Sequence, residues 1–199
     1  IFDEEIIMGK LKDYDWLHLH HEDFTGQYGK FYRSYRNALW YKKMEADFNA
    51  TAKKHGYPSV HNLKKAIALK IKEYIVNGGF LFAMCSATDS FDIALAAGDI
   101  DIADTPFDGT PVDYMNINKL KYSNAVAFEN YDLYTSPMIY EYSTIDLPPS
   151  HKPTTKSAEA DYFTLFEFSA KWDPVPTMLT QNHVGIINGF MGQTTGFNR

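Results

Sequence analysis

Cys85 is the single thiol of this chain, and it opens the run Cys85-Ser86-Ala87-Thr88-Asp89-Ser90 directly after the apolar stretch Phe80-Leu81-Phe82-Ala83-Met84. A second polar cluster, His20-His21-Glu22-Asp23, follows the alternating run Asp15-Trp16-Leu17-His18-Leu19. Thiol, imidazole and carboxylate are the parts of thiol nucleophilic catalysis: a thiolate attacks, an imidazole moves the proton, and a carboxylate orients the imidazole. The spacing makes Cys85 the candidate nucleophile and His20 or His21 the base, with Glu22 or Asp23 orienting it. Asp23, Ser86, Thr88, Asp89 and Ser90 are the accompanying binding candidates. Each also has a plainer reading. A single cysteine among apolar neighbours is a small core residue, and a histidine cluster hydrogen-bonds its own loop. The glycine positions of a nucleophile elbow are held by Ala83 and Ala87, which are small but less permissive. His18 and His20 share a strand face at zinc-ligand spacing, but without a third ligand in the pattern no metal is assigned and no cofactor is expected. Asp99, Asp101, Asp104 and Asp108 lack the EF-hand spacing and read as a solvated acidic loop.

These side chains need elements to hold them. Residues 3–13 read as a short helix with Ile6, Ile7 and Leu11 on one side. Residues 15–20 read as a strand with Trp16, His18 and His20 on one face and Leu17 and Leu19 on the other. The segment 59–77 carries the strongest helical signal. Ser59 is an N-cap, Val60, Leu63, Ile67, Ile71, Tyr74 and Ile75 recur at helical spacing, and Asn77-Gly78-Gly79 is a stop. The run 80–84, apolar on both faces, suits a buried parallel strand, and 89–97 resumes a helix. Strand, helix, strand, helix implies an α/β fold: an open, mostly parallel sheet with helices on both faces. The carboxyl ends of neighbouring parallel strands converge on one crevice, so the two polar clusters are expected to meet there. Residues 28–57, rich in Tyr, Lys and Arg, read as an exposed helical insertion. Further strands are expected at 123–128, 138–144 and 162–169, and a helix at 182–191. No internal boundary stands out, which makes 1–199 one α/β domain. The first residue, Ile1, and the polar ending point to a fragment of a longer chain.

Composition narrows the function. The chain has 199 residues, 45% of them hydrophobic and 22% charged, enough for a sizeable core. A net charge of −6 disfavours nucleic acid as a partner. One cysteine permits no internal disulfide, and no apolar run reaches the roughly 18–20 residues of a membrane-spanning helix. Aromatic residues make up 16%, and they either enlarge the core or form stacking platforms for a protein or glycan partner. The cluster Tyr28, Phe31, Tyr32, Tyr35, Trp40 and Tyr41 is the place to look for such a platform.

Two family resemblances bear on these residues. Asp89 and Ser90 match the S-G-G-x-D-S pyrophosphate loop of ATP pyrophosphatases, including the synthetase half of asparagine synthetase B, although Ser86 and Ala87 replace its glycines. That resemblance implies ATP-dependent amide synthesis. Asp15–Asp23, the helix 59–77, Asn77-Gly78-Gly79-Phe80-Leu81-Phe82 and Cys85 together resemble the class I glutamine amidotransferase-like fold, in which a helix leads through N-G-G into the strand before the nucleophile. The whole chain, including His18–Gln27 and Phe168–Pro176, resembles a bacterial family labelled "asparagine synthetase B", whose longer members often begin with export signals. The resemblance implies flavodoxin-like layering, Cys85 as nucleophile, and an exported protein of the periplasm or cell surface. The superfamily's late His-x-Glu pair has no counterpart, since His183 precedes Val184-Gly185 and His151 precedes Lys152-Pro153. The expectations are therefore a Cys-dependent amide or ester hydrolase, a non-catalytic binding or scaffold subunit of an exported assembly, or an ATP-dependent amide synthetase.

Overall fold

A computed structural model describes residues 2–146 and two short strands at 162–164 and 186–188. The chain divides between residues 147 and 148 into two compact units.

In the first unit, helix α1 (Asp3–Ile7) and a 3₁₀ turn at Lys10–Asp13 precede strand β1 (Trp16–Leu19). Helices α2 (Tyr32–Tyr35), α3 (Leu39–Lys54) and α4 (Val60–Val76) then lead to strand β2 (Phe80–Ala83). Helix α5 (Ser86–Ala97) and the short α6 (Thr105–Asp108) follow. The expected α4 forms because its signals agree. The Ser59 hydroxyl accepts the Asn62 amide at 3.2 Å, and Leu63, Ile67 and Ile71 line one buried face. Each such side chain contributes about 1.5–3 kcal/mol on burial. The stop also holds. Gly79 lies under the Tyr74 ring, where a Cβ would come within 2.2 Å of it.

β1 and β2 pair in parallel, with Trp16 opposite Phe80, Leu17 opposite Leu81, His18 opposite Phe82 and Leu19 opposite Ala83. The alternation read in 15–20 is realised: Leu17 and Leu19 are buried, while Trp16 and His18 are exposed. The inner face packs on the cluster formed by α1, α3, α4 and α5. The architecture is thus mixed helix and strand with a small parallel sheet. Helices on both faces were expected, but among the described residues this sheet has two strands and its second face is open. Phe80 and Phe82 are 60% and 46% exposed there, so the double-sided apolarity of 80–84 reflects an aromatic outer face and not burial.

The segment 28–57 is helical in α2 and α3 as expected, and it also supplies the core. Tyr28, Tyr41 and Ala52 are buried in the main cluster, and Lys30 is buried beside them. α5 is apolar almost all round because two clusters share it. Phe91, Ala94 and Leu95 face α4, while Ile93, Ala96 and Ala97 face Ile102, Tyr131, Tyr142 and Ile145.

The expected strands at 123–128 and 138–144 are not formed. The first is a 3₁₀ turn (Tyr122–Asn124) and irregular chain whose 126–128 amides donate to the Asp92 carboxylate at 2.7–2.8 Å. The second is reduced to the isolated bridge Leu133–Ser143. Side-chain capture replaces ladder hydrogen bonds in this region.

In the second unit, β3 (Tyr162–Thr164) pairs antiparallel with β4 (Ile186–Asn188), Tyr162 opposite Asn188. The strand expected at 162–169 is present in its first three residues. The helix expected at 182–191 is corrected: Ile186-Ile187-Asn188 is a strand, as the β-branched pair favours. The remainder of both segments lies outside the described residues.

Candidate functional site

Parallel pairing puts the carboxyl ends of β1 and β2 side by side. The Met84 amide donates to the Leu19 carbonyl at 3.1 Å, the last rung before both chains turn away. Cys85 makes its turn at φ 54°, ψ −143°, a conformation rare for a side-chain-bearing residue, and α5 begins at once with Ser86. Holding a residue there costs on the order of 1–3 kcal/mol and aims its side chain out of the strand-to-helix corner. Thr88 fixes the corner: its amide and its hydroxyl both donate to the Cys85 carbonyl, at 3.1 and 2.8 Å.

On the other strand, His20 and His21 leave β1 with ring centroids 3.8 Å apart. One nitrogen of each ring and the Cys85 sulfur all lie within 4.8 Å of one another. Both imidazoles are exposed and Cys85 is half-buried. The three groups expected to meet therefore do meet. His18 turns instead to Met84, its Nε2 lying 3.2 Å from the sulfur, so the strand pair His18–His20 is not the cluster with metal-ligand geometry.

The carboxylates have other work. Glu22 accepts the His20 amide, fixing the loop backbone and not an imidazole. Asp23 accepts the Thr25 amide and hydroxyl on one oxygen and the Gly29 amide on the other, which makes it the organiser of the 23–29 loop. Both were expected as orienting groups, and the structure places them on the backbone.

Ser90 joins the two halves of the site. Its buried hydroxyl donates to the Glu22 carbonyl at 2.9 Å and accepts the Phe24 amide at 3.4 Å. It thereby ties the histidine loop to the helix that Cys85 starts. Gly26 presses the same loop onto α4, where a Cβ would come within 2.5 Å of the His61 backbone. Inside that contact His61 donates from Nδ1 to the Thr25 carbonyl at 2.6 Å, and burial holds its imidazole below the usual range.

Asp89, expected as a ligand group, is 1% exposed. Burial first, then the neighbouring Asp146 carboxylate, push its carboxyl well above the usual range. Asp89 and Ser90 thus face the interior, whereas Ser86 and Thr88 remain half-buried on the first turn of α5.

A mostly apolar cavity of about 190 Å³ is lined by His21, Tyr28, Phe31, Met44, Phe48 and Val60, with Glu22, Asp23 and Lys64 also on its wall and Cys85 outside it. A larger cleft of about 410 Å³ between Tyr14 and Asn77 holds neither a thiol nor an imidazole. The aromatic cluster runs from interior to surface, with Trp40 packed on Tyr41 at 5.8 Å between the two and Tyr32 half-buried. Tyr28 and Tyr41 are buried, while Phe31, Tyr35 and Trp40 join Tyr140 in one chain of ring contacts at 5.1–6.2 Å, each ring 37–49% exposed.

The sequence reading missed Ser90 as a tether and Asp146 as the partner of Asp89. A small hydroxyl four residues into an apolar helix is a signal for the first, and nothing local signals the second. Among the described residues no helix is long and apolar enough to cross a membrane. In comparisons with known proteins, no family model, curated protein or solved structure matches this chain.

Proposed function

We propose that the protein is a thiol-dependent enzyme that cleaves an amide or an ester, with Cys85 as nucleophile and His20 or His21 as the proton-transfer group. One observation carries this reading: the sulfur sits on a positive-φ corner between β2 and α5, within 4.8 Å of both imidazoles. The thiol gives its proton to an imidazole and the sulfur bonds to the substrate carbonyl carbon. The C–N or C–O bond then breaks as the imidazolium returns the proton to the leaving amine or alcohol. Water, deprotonated by the same imidazole, releases the acid from the thioester and restores the thiol. Ser86 and Ala87 are the first residues of α5, whose amides lack an intrahelical acceptor and are the donors that an oxyanion hole at this corner would use. The cavity beside His21 suits an apolar acyl or leaving group. The reading accords with the amidotransferase-like resemblance in the position of its nucleophile and departs from it in the source of the imidazole.

The test is mass spectrometry of the protein after brief exposure to p-nitrophenyl acyl esters and anilides. An acyl adduct on Cys85, with burst release of nitrophenol, supports the reading. Turnover that persists in Cys85→Ser, or no adduct from any member of the series, overturns it.

A second reading, a binding subunit for a protein or glycan, is favoured by the contiguous exposed rings of Phe31, Tyr35, Trp40 and Tyr140. It predicts that soluble oligosaccharides or a protein ligand shift tryptophan fluorescence and that Trp40→Ala abolishes the shift. The ATP-dependent reading gains no such support, because Asp89 and Ser90 are interior.

A further inference from the structure

We infer that His20, His21 and Cys85 form a binding site for a thiophilic divalent cation of the zinc type, and that its occupancy masks the thiol. The inference rests on the preceding reading only in requiring the same accessible sulfur. Three ligand atoms of two types, two imidazole nitrogens and one sulfur, lie within 4.8 Å of one another. Zinc bonds of about 2.0–2.1 Å to nitrogen and 2.3 Å to sulfur place tetrahedral ligand atoms about 3.3–3.6 Å apart. The cluster therefore needs to tighten by at most about 1.2–1.5 Å, a change within reach of side-chain rotation of two exposed rings.

The donor set selects the metal. Nitrogen and sulfur favour zinc and its neighbours over magnesium or calcium, which take oxygen. The two acidic residues that follow His21 do not compete for the metal, since Glu22 and Asp23 are held by the His20, Thr25 and Gly29 amides. The backbone is already fixed on both sides of the cluster by Thr88 and Ser90, so binding orders little more than three side chains. Three protein ligands leave a fourth position open to water, the arrangement of an accessible and not a closed structural site. On binding, the thiol proton is released and the sulfur lone pair goes to the metal. A metal-bound sulfur is no longer free to attack a carbonyl carbon, so the cation acts as a reversible inhibitor of the thiol chemistry.

The experiment uses the full chain stripped with EDTA and then titrated with cobalt(II) alone, followed by competition with zinc. The expected result is one equivalent bound, with a thiolate-to-cobalt charge-transfer band that zinc abolishes. Cys85→Ser should remove that band, and His20→Ala and His21→Ala should each weaken binding by about 10-fold or more. His18→Ala should leave binding unchanged. Zinc should also slow alkylation of Cys85 by iodoacetamide, and EDTA should restore it. Absence of the band, or a band that survives in the folded Cys85→Ser protein, overturns the inference. The two proposals fail separately: fast alkylation in EDTA without a cobalt band removes the metal site alone, and a cobalt band with unactivated alkylation in EDTA removes the nucleophile alone.

Discussion

Ser90→Ala tests whether the two halves of the site are held by one buried hydroxyl. The substitution removes a 2.9 Å donor to the Glu22 carbonyl and a 3.4 Å acceptor for the Phe24 amide. A buried polar group left without a partner costs about 1–3 kcal/mol. The Glu22 carbonyl is only partly buried and the Phe24 bond is long, so the expected loss is about 1–2 kcal/mol. For a chain of this size that is roughly 3–6 °C in Tm. Phe24 stays anchored by its ring contact with Phe91, so the loop loosens without leaving. Urea unfolding measures the stability loss, and iodoacetamide kinetics at a pH near 7 measure the site. The tether predicts that both change, with alkylation of Cys85 slowing toward the rate of the unfolded chain. A variant with unaltered stability and unaltered alkylation would refute the assignment of Ser90.

Three further substitutions probe the energetics of the site and its support. Cys85→Gly relieves a strain of about 1–3 kcal/mol against about 0.5–1 kcal/mol of added chain entropy, so urea unfolding should show a more stable, chemically dead protein; a less stable one would mean the corner is not strained. Burial and then the Asp146 carboxylate raise the Asp89 carboxyl well above the pH of about 4 at which the unfolded chain loses that proton. Stability therefore falls as pH rises from there, and Asp89→Asn, measured at pH 4.5 and pH 7, should gain on the parent at the higher pH; a difference that does not vary with pH would contradict this. Burial lowers the Lys30 ammonium to about 8, although it donates to the Tyr134 and Ser136 carbonyls. The unfolded chain holds that proton up to pH about 10.5, so the parent should gain roughly 2–3 kcal/mol on Lys30→Met between pH 8 and 10.5, and a constant difference would show the ammonium to be solvated.

Much of the site was legible because local signals agreed with one another. The alternation of Trp16, Leu17, His18 and Leu19 fixed which face of β1 is buried, and the Ser59 cap and the Asn77-Gly78-Gly79 stop bounded α4. Placing Cys85 between an apolar strand and an apolar helix was enough to put it at the corner, and parallel pairing brought His20 and His21 to it. Other features depended on contacts distant in sequence. Glu22 and Asp23 look like orienting groups in the sequence, yet their carboxylates accept backbone amides of their own loop. Lys30 is a residue type that normally seeks water, and only the fold reveals its two carbonyl acceptors 104 and 106 residues away. The segment 123–128 was misread as a strand because Asp92, more than thirty residues earlier, gathers the amides that a strand ladder would otherwise have used.

The most direct test of the account is the second-order rate constant for alkylation of Cys85 by iodoacetamide in EDTA, compared between the native protein, the protein in urea and a His20→Ala/His21→Ala double variant. An imidazole-assisted thiol predicts a native rate about 10-fold or more above the unfolded chain, with that advantage lost in the double variant. A native rate equal to or below that of the unfolded chain, or an advantage that survives loss of both imidazoles, would contradict it.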